Sequence, residues 1–216
     1  NIKLIEDCAQ SFGSSYNGKK LGTFGDTSCF SFYPTKVLSS YGDGGMVVCN
    51  DESNYEKLKR MRFHGIDRSK GYYTSEDARL TMNSRLDEIH ASILRYKLKS
   101  VDKLIDNRNK IANYYFNKIE LDGISFHPHK PNTVYYNFVV RHKKRDEIIE
   151  YAKSKGVYFN INYPYPIHKM KGYSFLKKQK LKNTEIFSKE IFNLPIFPSL
   201  KKSEMKKVIK VLNNFK

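Results

Sequence analysis

The sequence predicts an α/β region followed by a smaller α+β unit, the two joined by a long helix. Three observations carry this. Short apolar runs near the start are each stopped by acidic residues, proline or glycine, the pattern of brief buried strands. Leu86, Ile89, Ile93, Leu94 and Leu98 keep the spacing that buries one face of a helix. Beyond Ile124, strand-like and helix-like stretches alternate on a shorter scale. With 216 residues the chain can bury one or two cores.

The apolar run Ile2 to Ile5 ends in Glu6-Asp7 and reads as a buried strand delivering side chains from its C-terminal edge. A domain rarely opens on such a strand, so further chain is expected before Asn1. Gly, Ser and Asn punctuate Gly13 to Gly25, predicting loops and short strands. Ser28 to Tyr33 is a second strand, stopped by Pro34. Gly42-Asp43-Gly44-Gly45 is a turn, and Met46 to Cys49 a third strand. Asn50-Asp51-Glu52 supplies a cap for a helix from Glu52 to Phe63. A polar loop with tyrosines, His64 to Met82, leads into the long helix, expected from Arg85 to Ile119. In the second half, Val134 to Val140 and Val157 to Ile161 read as strands. Arg145 to Ser154 reads as a helix ended by Gly156, with further helices over Glu185 to Asn193 and Ser203 to Asn214.

The bulk properties narrow the function. The composition, 39% hydrophobic and 28% charged, is that of a soluble globular protein. No run approaches the roughly 20 apolar residues that span a bilayer. The first residues lack the layout of a signal peptide, so a cytoplasmic location is expected. Cys8, Cys29 and Cys49 are widely spaced with no CxxC pair, which predicts buried free thiols and neither a disulfide framework nor a metal site. The formal net charge of +17 raises nucleic acid as a partner. The lysines are diffuse, however, with short clusters at Lys143-Lys144-Arg145, Lys177-Lys178 and Lys201-Lys202, and the nucleic-acid motifs are missing. Nucleic-acid binding is therefore the weakest reading. A positive surface equally suits a phosphorylated small substrate.

Two residues stand out chemically. Lys36 follows an aromatic strand and the rigid Pro34, and precedes a glycine-rich turn. A lysine held there by backbone and partly desolvated is suited to Schiff-base chemistry; the competing reading is an ordinary surface lysine. Asp7 ends a strand, where a carboxylate can either face a protonated ring nitrogen or cap the turn that follows. The spacing between the two allows a strand, a crossover and a second strand, whose ends can face one crevice.

These residues sit in motifs that resemble the DegT/StrS family of sugar aminotransferases dependent on pyridoxal 5'-phosphate (PLP). Glu6-Asp7-Cys8-Ala9-Gln10 is similar to its "EDxAQ" segment. Ser31-Phe32-Tyr33-Pro34-Thr35-Lys36, followed by Gly42-Asp43-Gly44-Gly45, is similar to "SFxPTK…GDGG". Asn83-Ser84-Arg85-Leu86-Asp87-Glu88 resembles "NxRLDE", with His90-Ala91-Ser92 where "QAA" is usual. Tyr163-Pro164-Tyr165-Pro166-Ile167-His168 resembles "YPxPxH", and Leu194 to Pro198 resembles the closing "LPxxP". The motifs fall in order along essentially the whole chain, which makes the signal specific.

The resemblance implies fold type I, like aspartate aminotransferase. Residues 1–110 would be the latter part of the large PLP domain, with a mostly parallel sheet, and 111–216 the small C-terminal α+β domain. It implies that Lys36 carries PLP and moves the proton, Asp7 pairs with the pyridine nitrogen, Gln10 approaches the phenolic oxygen and Ser31 the phosphate. Asn83 would reach the phosphate across a homodimer interface, and Tyr163, His168 and Arg85 would line the substrate side. The implied reaction moves an amino group from glutamate, through pyridoxamine phosphate, to a dTDP- or UDP-linked keto sugar at C3, for surface polysaccharide (lipopolysaccharide) or glycoconjugate synthesis. The family's N-terminal phosphate-binding segment is not in this sequence. That keeps a second reading in view: a non-catalytic fragment or relative with an assembly or regulatory role.

Overall fold

The computed structural model describes residues 2–67, 81–128, 132–175 and 180–216. Most of the expected His64 to Met82 loop and the Lys177-Lys178 pair lie outside them. The chain divides into two compact units, Asn1–Ile105 with Asn132–Val134, and Asp106–Pro131 with Tyr135–Lys216.

The first unit is built on a three-stranded sheet of β1 (Ile5–Asp7), β4 (Thr27–Ser31) and β5 (Gly45–Cys49), in the order β1-β4-β5. A small antiparallel hairpin, β2 (Ser15–Tyr16) and β3 (Lys19–Lys20), occupies the glycine-punctuated stretch between β1 and β4. β1 and β4 are parallel, with Asp7 opposite Cys29, whereas β4 and β5 are antiparallel, with Ser31 opposite Gly45. The described sheet is thus mixed rather than mostly parallel. The reason lies in residues 32–44, which fold on themselves and return beside β4: a parallel return needs a crossover, usually helical. The first strand also differs from expectation. It begins at Ile5, and Ile2, Leu4 and Ile5 are exposed, as are Met46, Val47 and Val48 of β5. The apolar runs mark strands, but the described residues cover these positions only in part.

Helix α1 (Glu52–Met61) starts as predicted, its Asp51 side chain accepting the Asn54 N–H at 2.8 Å. The long helix does not form as one piece. It is α2 (Glu88–Leu98) and α3 (Val101–Lys118), and Arg85 to Asp87 precede it outside any helix. At the break the Ser100 hydroxyl donates to the Lys97 carbonyl at 3.2 Å, competing with the helical ladder. Of the expected apolar stripe only Leu94 is buried, while Ile89 and Leu98 are exposed. Cys8 is a buried free thiol, and burial pushes its ionisation upward; Cys29 and Cys49 are free but only half-buried.

The second unit carries an antiparallel sheet, β6 (Ser125–Phe126), β7 (Phe138–Arg141) and β8 (Ile191–Leu194), in that order. Tyr115 of α3, Val140, Phe192, Ile148 of α4 (Arg145–Ser154) and Leu212 of α6 (Lys202–Asn213) form its fully buried centre. Helix α4 has its predicted bounds. Gly156 stops the chain there with φ +68°, a left-handed conformation that glycine adopts without strain. Three expectations change. The strand expected from Val134 forms only from Phe138, because Tyr135 takes a positive φ of 43°. Val157 to Ile161 is reduced to a single bridge, Asn160 with Asn193. The helix α5 is Lys182–Glu190, and the following residues turn into β8, where Phe192 and Leu194 alternate inward and are buried.

Candidate active site

Asp7 and Ser31 end two adjacent parallel strands. Their register places both at the C-terminal edge of the sheet, where open α/β sheets present ligand-binding residues. Asp7 is exposed, and its Oδ1 accepts the Ala9 N–H at 3.0 Å. Gln10 lies in the turn that follows, exposed. The half-buried Ser31 has its hydroxyl 3.4 Å from the Tyr33 N–H, which donates to it.

Lys36 sits in the loop that leaves β4. Its N–H donates to the Tyr33 carbonyl at 2.8 Å, closing a turn over Pro34 and Thr35. The side chain is half-buried, followed by the buried Val37 and Leu38. Two backbone bonds tie the loop to the strand end: Phe32 N–H to Gly44 O and Ser40 N–H to Phe32 O, both 2.7 Å. A third tie comes from α2. Lys97 Nζ donates to the Ser39 carbonyl at 2.7 Å and to the Ser39 hydroxyl at 3.2 Å, and lies 4.6 Å from the Tyr41 ring centre. His90 packs so closely on the loop that a Cβ at Gly42 would meet its Cε1 at 2.7 Å. The glycine-rich turn is therefore a matter of close approach.

Asn83 and Arg85 form a second group. Asn83 bridges Phe63 in an antiparallel pairing, and its Oδ1 accepts Arg85 Nε–H at 3.0 Å. The Arg85 guanidinium stacks 5.0 Å from the Phe63 ring centre. Both side chains are exposed.

Tyr163 and His168 belong to the second unit. Tyr163 is exposed, whereas the His168 side chain is only 9% exposed and its Nε2 lies 3.1 Å from Glu185 Oε1.

Sequence reasoning passed over three supporting groups. Glu6 binds backbone N–H groups of the Gly22 to Gly25 loop, Lys97 holds the Lys36 loop, and Glu185 holds His168. For Glu6 a signal existed, a carboxylate preceding a glycine-rich stretch. The other two are single charges on helices, with no local pattern to mark them.

The profile of the DegT/DnrJ/EryC1/StrS aminotransferase family matches residues 1–213. The chain belongs to that family. Within it, the chain is 39% identical to the dTDP-3-amino-3,4,6-trideoxy-alpha-D-glucose transaminase of Micromonospora megalomicea subsp. nigra, over 98% of this chain and 58% of that protein. It is 35% identical to a pleiotropic regulatory protein of Geobacillus stearothermophilus, over 99% of this chain and 58% of the relative. The fold superposes on S. venezuelae DesV, a structure containing a ketimine intermediate, with a TM-score of 0.88 at 30% identity, covering 98% of this chain and 57% of that one. The chain thus spans a little over half the length of the curated relatives it matches. Family members of this type are PLP-dependent, and the donor set here suits that group. An amine, a carboxylate and a hydroxyl are gathered on two parallel strand ends and the loop leaving one of them. Among the described residues no helix is long and apolar enough to cross a membrane.

Proposed function

We propose that this chain supplies the lysine-bearing part of a PLP-dependent aminotransferase that moves an amino group from glutamate to a nucleotide-linked keto sugar. The observation that supports it best is the placing of Asp7, Ser31 and the tethered Lys36 loop at one edge of the sheet. PLP, when bound, supplies the electron sink for the reaction. Lys36 Nζ is the amine that holds the cofactor and then takes and returns the substrate proton. The Asp7 carboxylate keeps the ring nitrogen protonated, since an opposite charge favours the charged form. Gln10 orients the phenolic oxygen, while Ser31 and Asn83 donate to the phosphate, Asn83 from the partner of a homodimer. Arg85 and Tyr163 face the sugar nucleotide, and His168 belongs to the same substrate segment.

The substrate is read as a dTDP- or UDP-linked sugar aminated at C3, in the cytoplasm, serving polysaccharide or glycoconjugate synthesis. The test is the visible absorbance of the holoenzyme before and after glutamate, in wild type and Lys36→Ala. Bleaching in the wild type and its loss in the variant support the reading; a Lys36→Ala protein with near-normal turnover overturns it. A second reading is favoured by the relative named as a pleiotropic regulatory protein: a family member retained for regulation. It predicts no change of absorbance on adding glutamate to the wild-type protein with PLP.

A further inference from the structure

The segment after Tyr163 enters two short 3-10 turns, Ile167–Lys169 and Lys171–Tyr173. Its described backbone hydrogen bonds are local: Lys169 N–H to Pro166 O, Met170 to Ile167, Tyr173 to Met170 and Ser174 to Lys171. Such bonds shape the segment without anchoring it to a helix or strand. The side chains supply the anchor, and both contacts described with α5 converge on Glu185. Glu185 Oε1 lies 3.1 Å from His168 Nε2 and 3.5 Å from Lys169 Nζ, and it also accepts the Leu181 N–H at 3.3 Å. The His168 bond is the largest cause holding the Glu185 carboxyl below its ordinary range, aided by Lys169. His168 is turned inward, while its neighbours Ile167, Tyr165 and Tyr163 are at least 60% exposed. A side chain so enclosed and already bonded is suited to holding the segment rather than to meeting a ligand.

We infer that Glu185 is a positioning residue, which through His168 fixes the Tyr163–Pro166 segment in the shape that receives the nucleotide-linked sugar. This rests on the proposed function, in which Tyr163 faces that substrate. A carboxylate accepting from imidazole, ammonium and backbone N–H groups makes charge-assisted bonds stronger than neutral ones. Their removal frees the segment but leaves the Lys36 loop, in the other unit, with all its own ties.

The test compares wild-type, Glu185→Ala and Glu185→Gln holoenzymes by two measurements. In Glu185→Ala, amide exchange at Lys169 and Met170 should rise about tenfold or more, as local opening becomes easier. KM for dTDP-3-amino-3,4,6-trideoxy-α-D-glucose, used as amino donor in the reverse direction, should rise about tenfold, with kcat within about twofold. The glutamate half-reaction should keep its wild-type rate. Glu185→Gln still accepts from His168 and Leu181, and should recover most of the exchange protection. Unchanged exchange at Lys169 and Met170 in Glu185→Ala overturns the inference, as does an equal loss in both half-reactions. Failure of the underlying function looks different: the wild-type holoenzyme itself would show no glutamate-driven change in absorbance.

Discussion

The Glu6 carboxylate accepts the Gly22 N–H at 2.7 Å, and through its other oxygen the Phe24 and Gly25 N–H groups, each also at 2.7 Å. One strand residue thus shapes the loop that delivers β4. The loop is tight enough that a Cβ on Gly25 would lie 2.7 Å from the Leu4 carbonyl oxygen. These N–H bonds, led by Gly22 and Gly25, hold Glu6 below the ordinary carboxyl range. A folded-state value below the unfolded one contributes stability above the unfolded value, and that contribution is lost as pH falls through the folded value. Glu6→Gln should therefore be less stable than wild type at neutral pH, with the gap narrowing on acidification through the carboxyl range. Denaturant midpoints measured across pH check this; a gap that widens toward acid would contradict it.

Lys97 carries the second prediction. Lys97→Met removes the donor to both Ser39 oxygens while keeping most of the length of the unbranched side chain. The loop bearing Lys36 loosens, and if Lys36 is the reacting amine proposed above, the glutamate half-reaction should slow about tenfold or more through its misplacement. Lys97→Arg should recover part of the rate, since it can still reach a carbonyl. Single-turnover absorbance measures both.

Asp7→Asn separates charge from shape. The amide oxygen still accepts from Ala9, so stability should stay within about 0.5 kcal/mol of wild type. The charge proposed to face the cofactor is lost, and on that proposal the glutamate half-reaction should fall by about 10²-fold or more. Urea unfolding and stopped-flow absorbance on the same sample test the two halves of this expectation.

Tyr115→Phe tests the core of the second unit. The hydroxyl donates to the Pro195 carbonyl at 2.9 Å, and burial keeps it un-ionised by pushing its pKa upward. The variant leaves that carbonyl without its donor and should lose about 1–3 kcal/mol in chemical denaturation.

Where pattern is local, the sequence was sufficient. Helix α4 has the bounds read from Arg145 to Ser154 because an N-terminal acidic turn and a C-terminal glycine mark its ends. The strand end at Asp7 was legible because Glu-Asp interrupts an apolar run, whereas the strand holding Ser31 ends there, two residues before the expected Tyr33. The misreadings occurred where a local preference met a distant partner. Ile191 to Leu194 continue the apolar spacing of α5, yet pairing with Phe138 to Arg141 makes them a strand. The stretch from Arg85 to Ile119 reads as one helix, whereas at the break the Lys99 and Ser100 N–H groups bond only three residues back, to Tyr96 and Lys97, and the Ser100 hydroxyl also donates to Lys97.

By itself, then, the sequence determined the family and the ordered motifs and nominated the residues proposed for the chemistry, because each is written in neighbouring side chains. The tertiary structure decided how those residues are held. Lys97 and Ser39 are 58 positions apart, Glu6 and Gly22 are 16 apart, and Glu185 lies 17 from His168. Hydrogen bonds between such positions leave no periodicity in the chain. They exist only once packing has brought a charged group to a backbone or side-chain partner that would otherwise be bonded to water.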